Sequence, residues 1–179
     1  MHLVKRANIS NKDEYILAYI LDPNPEIGFR LEKLSIDKNI KILILLDHLP
    51  SRKEKNKKKL LLSGKGNIEV KNIFHIEDWL WYFNNSKNII TDSYHGTIFS
   101  IIFRKPFISL KNQKRGGDRF ISLLRPLNLI HRLFEKSDCI NKRYDLYDTI
   151  NYSLSLPKLL QIKDISYNWL KNKLEIIFN

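Results

Sequence analysis

Residues Asn88–Phe107 read NIITDSYHGTIFSIIFRKPF, and the stretch divides into parts of different character. Asn88-Ile-Ile-Thr91 is short, apolar and β-branched, the pattern of a buried strand. Thr91 to Thr97 then crowd hydroxyls, a carboxylate, an imidazole and a glycine into one turn. His95–Phe103 is apolar and of helical length, and Arg104-Lys-Pro106 ends it before another short strand at Phe107–Leu110. Strand, polar turn, helix, breaker and strand make one unit of a parallel sheet, because parallel neighbours need a covering crossover.

The flanking sequence repeats the alternation. Tyr15–Leu21 (YILAYIL) is a continuous apolar run closed by the breaker cluster Asp22-Pro-Asn-Pro25, so it reads as a buried strand. Ile27, Leu31 and Leu34 recur at helical spacing over residues 26–37. Lys41–Leu46 is a second buried strand, and Asn67–Lys71 a short one. Ile76–Phe83 has the apolar face of a helix, in which Trp79 and Trp81 read as packing residues. Phe120–Leu127 and Leu159–Phe178 read as further helices, with residues 131–156 irregular between them. The expected fold is α/β, a Rossmann-like parallel sheet with flanking helices. The expected division is an arm or linker at residues 1–13, the domain at 14–156, and a C-terminal helix packing on it at 157–179.

Composition narrows the function classes. The chain has 179 residues, 43% hydrophobic and 11% aromatic, enough to bury a core and against wholesale disorder. A formal charge of +12 suits nucleic acid, an anionic membrane surface, or an anionic small substrate or glycan. The run SRKEKNKKK at 51–59 is the densest charge, but it lacks interleaved aromatics. It reads as a solvated loop, and nucleic acid is not the expected partner. The single cysteine, Cys139, has no CxxC or Cys/His neighbours, so neither an internal disulfide nor a metal site is expected. A reducing cytoplasm fits, with peripheral contact at the inner face of the membrane through the basic surface. Met1–Tyr15 has no signal-peptide apolar region, and no apolar run nears the roughly 18 residues of a membrane span.

The polar turn is where chemistry concentrates. In parallel α/β sheets, ligands bind at the carboxyl ends of strands beside helix amino-termini. Asp92 or Ser93 can cap the helix, and its first N–H groups favour an anion. Gly96 removes a side chain where a ligand could approach, and His95 supplies an imidazole, the residue type suited to exchanging protons with a substrate. Spacing alone equally fits a capped helix with an incidental histidine.

Thr91–Phe107 resembles the signature of the polysaccharide pyruvyl transferase family. Members carry a Thr-Asp-Ser-Phe-His-Gly-type or Arg-Leu-His-Gly-type turn, a small apolar helix and Lys-Pro-Phe. Tyr15–Leu21, Ile76–Ser86 and Asp118–Arg132 are similar to the flanking elements, so the resemblance covers roughly residues 15–134. It implies the second Rossmann-like domain of a two-domain, glycosyltransferase-B-like enzyme about twice as long. It also implies transfer of pyruvate from phosphoenolpyruvate to sugar hydroxyls as a ketal, in cell-surface polysaccharide synthesis. The donor is a substrate, and no cofactor or metal is expected. The implied partners are a glycan or lipid-linked sugar acceptor, and a first domain or second copy. On this resemblance His95 is the acid/base or phosphate-contacting residue. Asp92, Ser93, Tyr94, Gly96 and Thr97 line the donor site, and Arg119 is an anion clamp, with Lys114 and Arg115 weaker candidates. Ser93 departs from relatives that have arginine in the turn, so another cation must serve there. Two other readings stay open: a nucleotide-sugar transferase of the same architecture, and a non-catalytic remnant that binds a glycan or partner chain.

Overall fold

The computed structural model describes residues 13–46, 50–72, 75–136 and 149–178. Six described strands form one parallel sheet in the order β3-β2-β1-β4-β5-β6. They are β1 (Tyr15–Ile20), β2 (Lys41–Leu46), β3 (Ile68–Lys71), β4 (Asn88–Thr91), β5 (Phe107–Lys111) and β6 (Leu133–Glu135). The helices are α1 (Pro25–Lys38), α2 (Pro50–Lys59), α3 (Ile76–Asn85), α4 (Tyr94–Ile102), α5 (Asp118–Leu124) and α6 (Tyr152–Phe178). The α/β Rossmann-like expectation is borne out.

The period of two along each strand divides the core into two layers. Ile16, Ala18, Ile20, Ile42, Ile44 and Ile90 face Ile27, Leu31 and Leu34 of α1. Tyr15, Leu17, Leu43, Leu45, Ile89 and Phe107 face Tyr82 and Phe83 of α3 and Ile101 of α4. Both faces of β1, β2 and β4 are covered, so their centres are apolar, with Asn88 and Thr91 buried at the ends of β4. Trp79, partly buried, packs against Tyr19, Phe83 and Phe99 at the margin of the core.

Local chemistry sets the helix ends. Asn24 caps α1 by accepting from the Ile27 N–H at 2.8 Å, and Pro25 opens the helix where its missing N–H costs nothing. Gly28 lets α1 touch the chain that follows α2; a Cβ there would meet the Leu60 carbonyl oxygen at 1.9 Å.

Three expectations change. Residues 51–59 are not a loop but most of α2, the crossover between β2 and β3. Lysine is a good helix former, Asn56 is buried on the inner side, and Leu60 anchors the end in the core. The irregular stretch 131–156 holds β6, which pairs Ser109–Lys111 with Leu133–Glu135, and the first turn of α6. The last helix begins at Tyr152, and Pro157 lies inside it. Among the described residues, its start packs on the domain: Tyr152 donates to the Lys105 carbonyl at 2.7 Å and Ser155 to the Leu127 carbonyl at 2.8 Å. Residues 160–174 are exposed throughout, so the expected packing of the terminal helix stops near Leu159. His48 and Cys139 lie outside the described residues.

Candidate functional site at the carboxyl edge of the sheet

β1 and β4 are neighbours, yet the chain leaves β1 toward β2 and β3 on one side and continues from β4 to β5 and β6 on the other. Such a reversal opens a crevice at the strands' carboxyl ends, where ligands of open α/β sheets bind. The turn Thr91–Thr97 emerges there, beside Leu21 and Asp22.

Ser93 caps α4: its hydroxyl accepts from the Gly96 N–H at 3.2 Å, and its carbonyl accepts from the Thr97 N–H at 3.0 Å. Among the described contacts, none takes the N–H groups of Tyr94 or His95, which remain as the helix's donors at this edge. Thr97 is buried, with its hydroxyl on the Ser93 carbonyl and 2.7 Å from Ser109. Gly96 does not clear space for a ligand. A Cβ there would stand 2.4 Å from Thr91 Oγ1 and 3.1 Å from the Tyr19 ring, so its hydrogen lets α4 close onto β4 and β1. Gly96 and Thr97 therefore shape the turn from beneath, and neither presents a side chain to the crevice.

Asp92 has also been drawn inward. It is 1% exposed. Its carboxylate accepts from the Leu21 N–H at 2.6 Å, the Asp22 N–H at 3.1 Å, Asn112 Nδ2 at 3.3 Å and Lys136 Nζ at 2.7 Å. These donors come from the ends of β1, β5 and β6, so one carboxylate ties four strand ends together. A carboxylate so engaged has little capacity left for an anionic ligand, and the geometry gives Asp92 a positioning part instead.

Asp22 extends the network outward. Arg115 holds it with two hydrogen bonds, 2.9 Å and 3.1 Å, and Asn112 donates to it at 2.6 Å. The Arg115 guanidinium, helped by Asn112 and Lys136, pulls the Asp22 carboxyl down to about 2. Arg115 and Lys136 are thus engaged with acids, which leaves a different surface for a ligand.

That surface is Tyr94, His95 and Arg119. His95 is exposed at the start of α4. Tyr94 is half-buried, edge-on to Phe120 at 5.7 Å and to His95 at 6.0 Å. The Arg119 guanidinium lies 5.1 Å from the Tyr94 ring centre and donates one hydrogen bond to the Arg115 carbonyl. A guanidinium has five N–H donors, so most of this fork remains available. Gly116, at φ 77°, takes the left-handed turn that brings Arg119 close; a Cβ there would sit 3.0 Å from Arg119 Nε. The arrangement is an imidazole, a stacked guanidinium and two helix N–H groups on one rim.

Sequence reasoning missed Asp22, Asn112 and Lys136. Asp22 lay inside a cluster read only as a breaker, yet it follows a strand of the same sheet, which places it at the same edge. Nothing in the sequence marked Lys136, because β6 is only three residues long.

This fold makes the chain a Rossmann-like α/β domain, with His95, Arg119 and the first N–H groups of α4 together at its switch point. The family model described as polysaccharide pyruvyl transferase matches residues 2–114, most of the chain, and the chain belongs to that family. No curated protein matches it in sequence. Among solved structures, the S. aureus MnaA–UDP co-structure aligns at TM-score 0.53 and 17% identity over 83% of this chain and 42% of that one. The UDP-GlcNAc 2-epimerase of Methanocaldococcus jannaschii aligns at TM-score 0.50 and 14% identity over 92% of this chain and 51% of that one. At such identities the likeness is one of fold. The chain spans about half the length of these structures.

Proposed function

We propose that this domain carries the donor half of a pyruvyl transfer site, taking pyruvate from phosphoenolpyruvate to sugar hydroxyls as a ketal. The observation that carries the reading is the rim formed by exposed His95 and the Arg119–Tyr94 stack at the amino end of α4. It is joined to a family match that includes the whole motif.

The reaction asks for groups of these kinds. The donor's phosphate and carboxylate need donors: the Tyr94 and His95 N–H groups and the Arg119 fork supply them. Arg119 takes the place of the arginine that some relatives have where Ser93 stands. Protonation of the enol methylene makes the adjacent carbon electrophilic. A sugar hydroxyl attacks that carbon and gives up its proton, and a second hydroxyl closes the ring as phosphate departs. An imidazole can take or give a proton, which suits one of these transfers, and His95 has that part. Asp92, Asp22, Asn112 and Lys136 hold the strand ends beneath the rim. The acceptor, a glycan or lipid-linked sugar, would be gripped largely by a first domain beyond this chain or by a second copy, at the cytoplasmic side of the membrane.

A nucleotide-sugar transferase would want a carboxylate open to a ribose at a strand end. Among the described residues, Asp92 is buried with Lys136 and Asp22 is held by Arg115, which leaves Glu135, half-exposed beside Lys111, as the strand-end carboxylate such an enzyme could use. The test is turnover of phosphoenolpyruvate, followed by phosphorus NMR, in this chain co-expressed with a homologous first domain. His95→Ala is expected to abolish phosphate release while the fold persists. Near-normal release by that variant would sink the assignment.

A further inference from the structure

The network at the sheet edge reaches the rim along one line. Asp22 follows β1, and the Asp92 carboxylate fixes its backbone by accepting from its N–H at 3.1 Å. The Asp22 carboxylate in turn accepts from Asn112 Nδ2 at 2.6 Å, and from Nε and Nη2 of Arg115 at 2.9 Å and 3.1 Å. Asn112 is buried just past β5, and Arg115 ends the short 3-10 turn Gln113–Arg115. One carboxylate therefore grips this segment at its root and at its tip. Gly116 and Gly117 follow, Gly116 at φ 77°. Glycine backbone is the least restrained, so local sterics do not fix the path from Arg115 onward. Arg119 lies beyond these glycines and is exposed. Its guanidinium donates to the Arg115 carbonyl and lies 5.1 Å from the Tyr94 ring centre. An exposed arginine keeps one geometry only if its anchors are fixed, because ordering it costs rotamer entropy. Tyr94 is fixed by the buried Phe120, edge-on at 5.7 Å. The other anchor, the Arg115 carbonyl, is fixed through Asp22.

We propose that Asp22 is a positioning residue for Arg119, acting through the Arg115 fork to hold that guanidinium over Tyr94 on the rim. Only the ligand in this inference rests on the donor reading above; the placement of Arg119 does not. The Asp22 and Arg115 side chains are 35% and 39% exposed, and an ion pair so open to water adds modestly to stability. What the pair supplies is direction, since two parallel N–H bonds leave a guanidinium one orientation on a carboxylate. Charge alone argues the opposite sign. An acid at the edge of a site repels an anion there, and its removal would free Arg115 as a further cation. Positioning therefore predicts weaker anion binding when Asp22 is lost, and simple electrostatics predicts tighter binding.

The test compares the whole chain with its Asp22→Ala and Arg115→Ala variants by NMR. Without ligand, the Arg119 side-chain protons are expected to carry a ring-current shift from Tyr94, which Tyr94→Leu removes. Asp22→Ala and Arg115→Ala should each move those protons toward random-coil positions, although Arg119 and Tyr94 are intact in both. The double variant should go no further than either single. With phosphoenolpyruvate as the probe, Asp22→Ala should weaken binding ~10-fold and should add nothing to Arg119→Ala. Amide shifts unchanged away from the rim show that the fold persists. Arg115→Ala supplies the same readout if Asp22→Ala does not fold. A ring-current shift on Arg119 that survives in the folded variants would overturn the proposal. So would phosphoenolpyruvate binding to Asp22→Ala as tightly as to wild type, or more tightly. A shift lost in both variants, in a chain that does not bind phosphoenolpyruvate at all, would uphold the positioning and sink the donor reading.

Discussion

Replacing Gly96 with alanine puts a methyl group where α4 meets β4. The new Cβ would stand 2.4 Å from Thr91 Oγ1, 3.1 Å from Thr91 Cβ and 3.1 Å from Tyr19 Cδ1. Comfortable contact lies about 1 Å further from the hydroxyl, so the Thr91 side chain must move. That hydroxyl donates to the Tyr19 carbonyl at 2.8 Å and accepts from the Ser93 N–H at 3.1 Å. Overpacking costs about 1–3 kcal/mol, and each weakened hydrogen bond about 1 kcal/mol. Alanine's better helix propensity offsets about 1 kcal/mol. The net expectation is a loss of about 3 kcal/mol, read as a lower urea midpoint at unchanged slope in circular dichroism. Thr91→Ala in the same chain removes the clashing oxygen. The double variant should then be at least about 1 kcal/mol more stable than the sum of the singles predicts. Gly96→Ala unfolding at the wild-type midpoint, yet failing to bind phosphoenolpyruvate, would refute this account. The glycine would then serve the ligand and not the helix.

Two further outcomes follow from the network beneath the rim. Asp92→Ala leaves the Leu21 and Asp22 N–H groups and Lys136 without their shared acceptor. It should cost about 3–4 kcal/mol, nearer the low end of a broken buried pair because Lys136 can reach water; a urea midpoint within about 1 kcal/mol of wild type would contradict the latch. Asp22 has a carboxyl pulled down to about 2, below the roughly 3.9 of an unfolded chain. Its contribution to stability is therefore full above about pH 4 and disappears as pH falls through about 2, and Asp22→Asn should flatten that arm of an acid titration of the urea midpoint.

The sheet was legible where burial on both faces erased polarity. Tyr15–Leu21, Lys41–Leu46 and Asn88–Thr91 could be read as strands because their runs are too apolar and too short for surface helices. Helix α2 was not legible, because among its described side chains the buried ones are Asn56 and, just past its end, Leu60, and lysines mask any stripe. β6 is too short to carry a pattern. At the site, the Ser93 cap was legible because its partner, Gly96, is three residues away. The network of Asp92 was not legible because its partners lie 20 to 71 residues off, at strand ends that only the fold brings together. The packing at Gly96 was not legible for the same reason: what a Cβ there would meet is Thr91 and Tyr19, and local sequence cannot say so. His95 was legible as an imidazole in a polar turn, and Arg119 was nominated through the family resemblance; both are exposed.

The most direct test of the donor site is a titration of the nitrogen-15-labelled chain with phosphoenolpyruvate, followed by amide shifts, beside the His95→Ala variant. The account predicts saturable shifts centred on Tyr94–Thr97 and Arg119, absent from the variant. Folded protein whose amides at this rim do not move, or a variant that titrates like wild type, would contradict it.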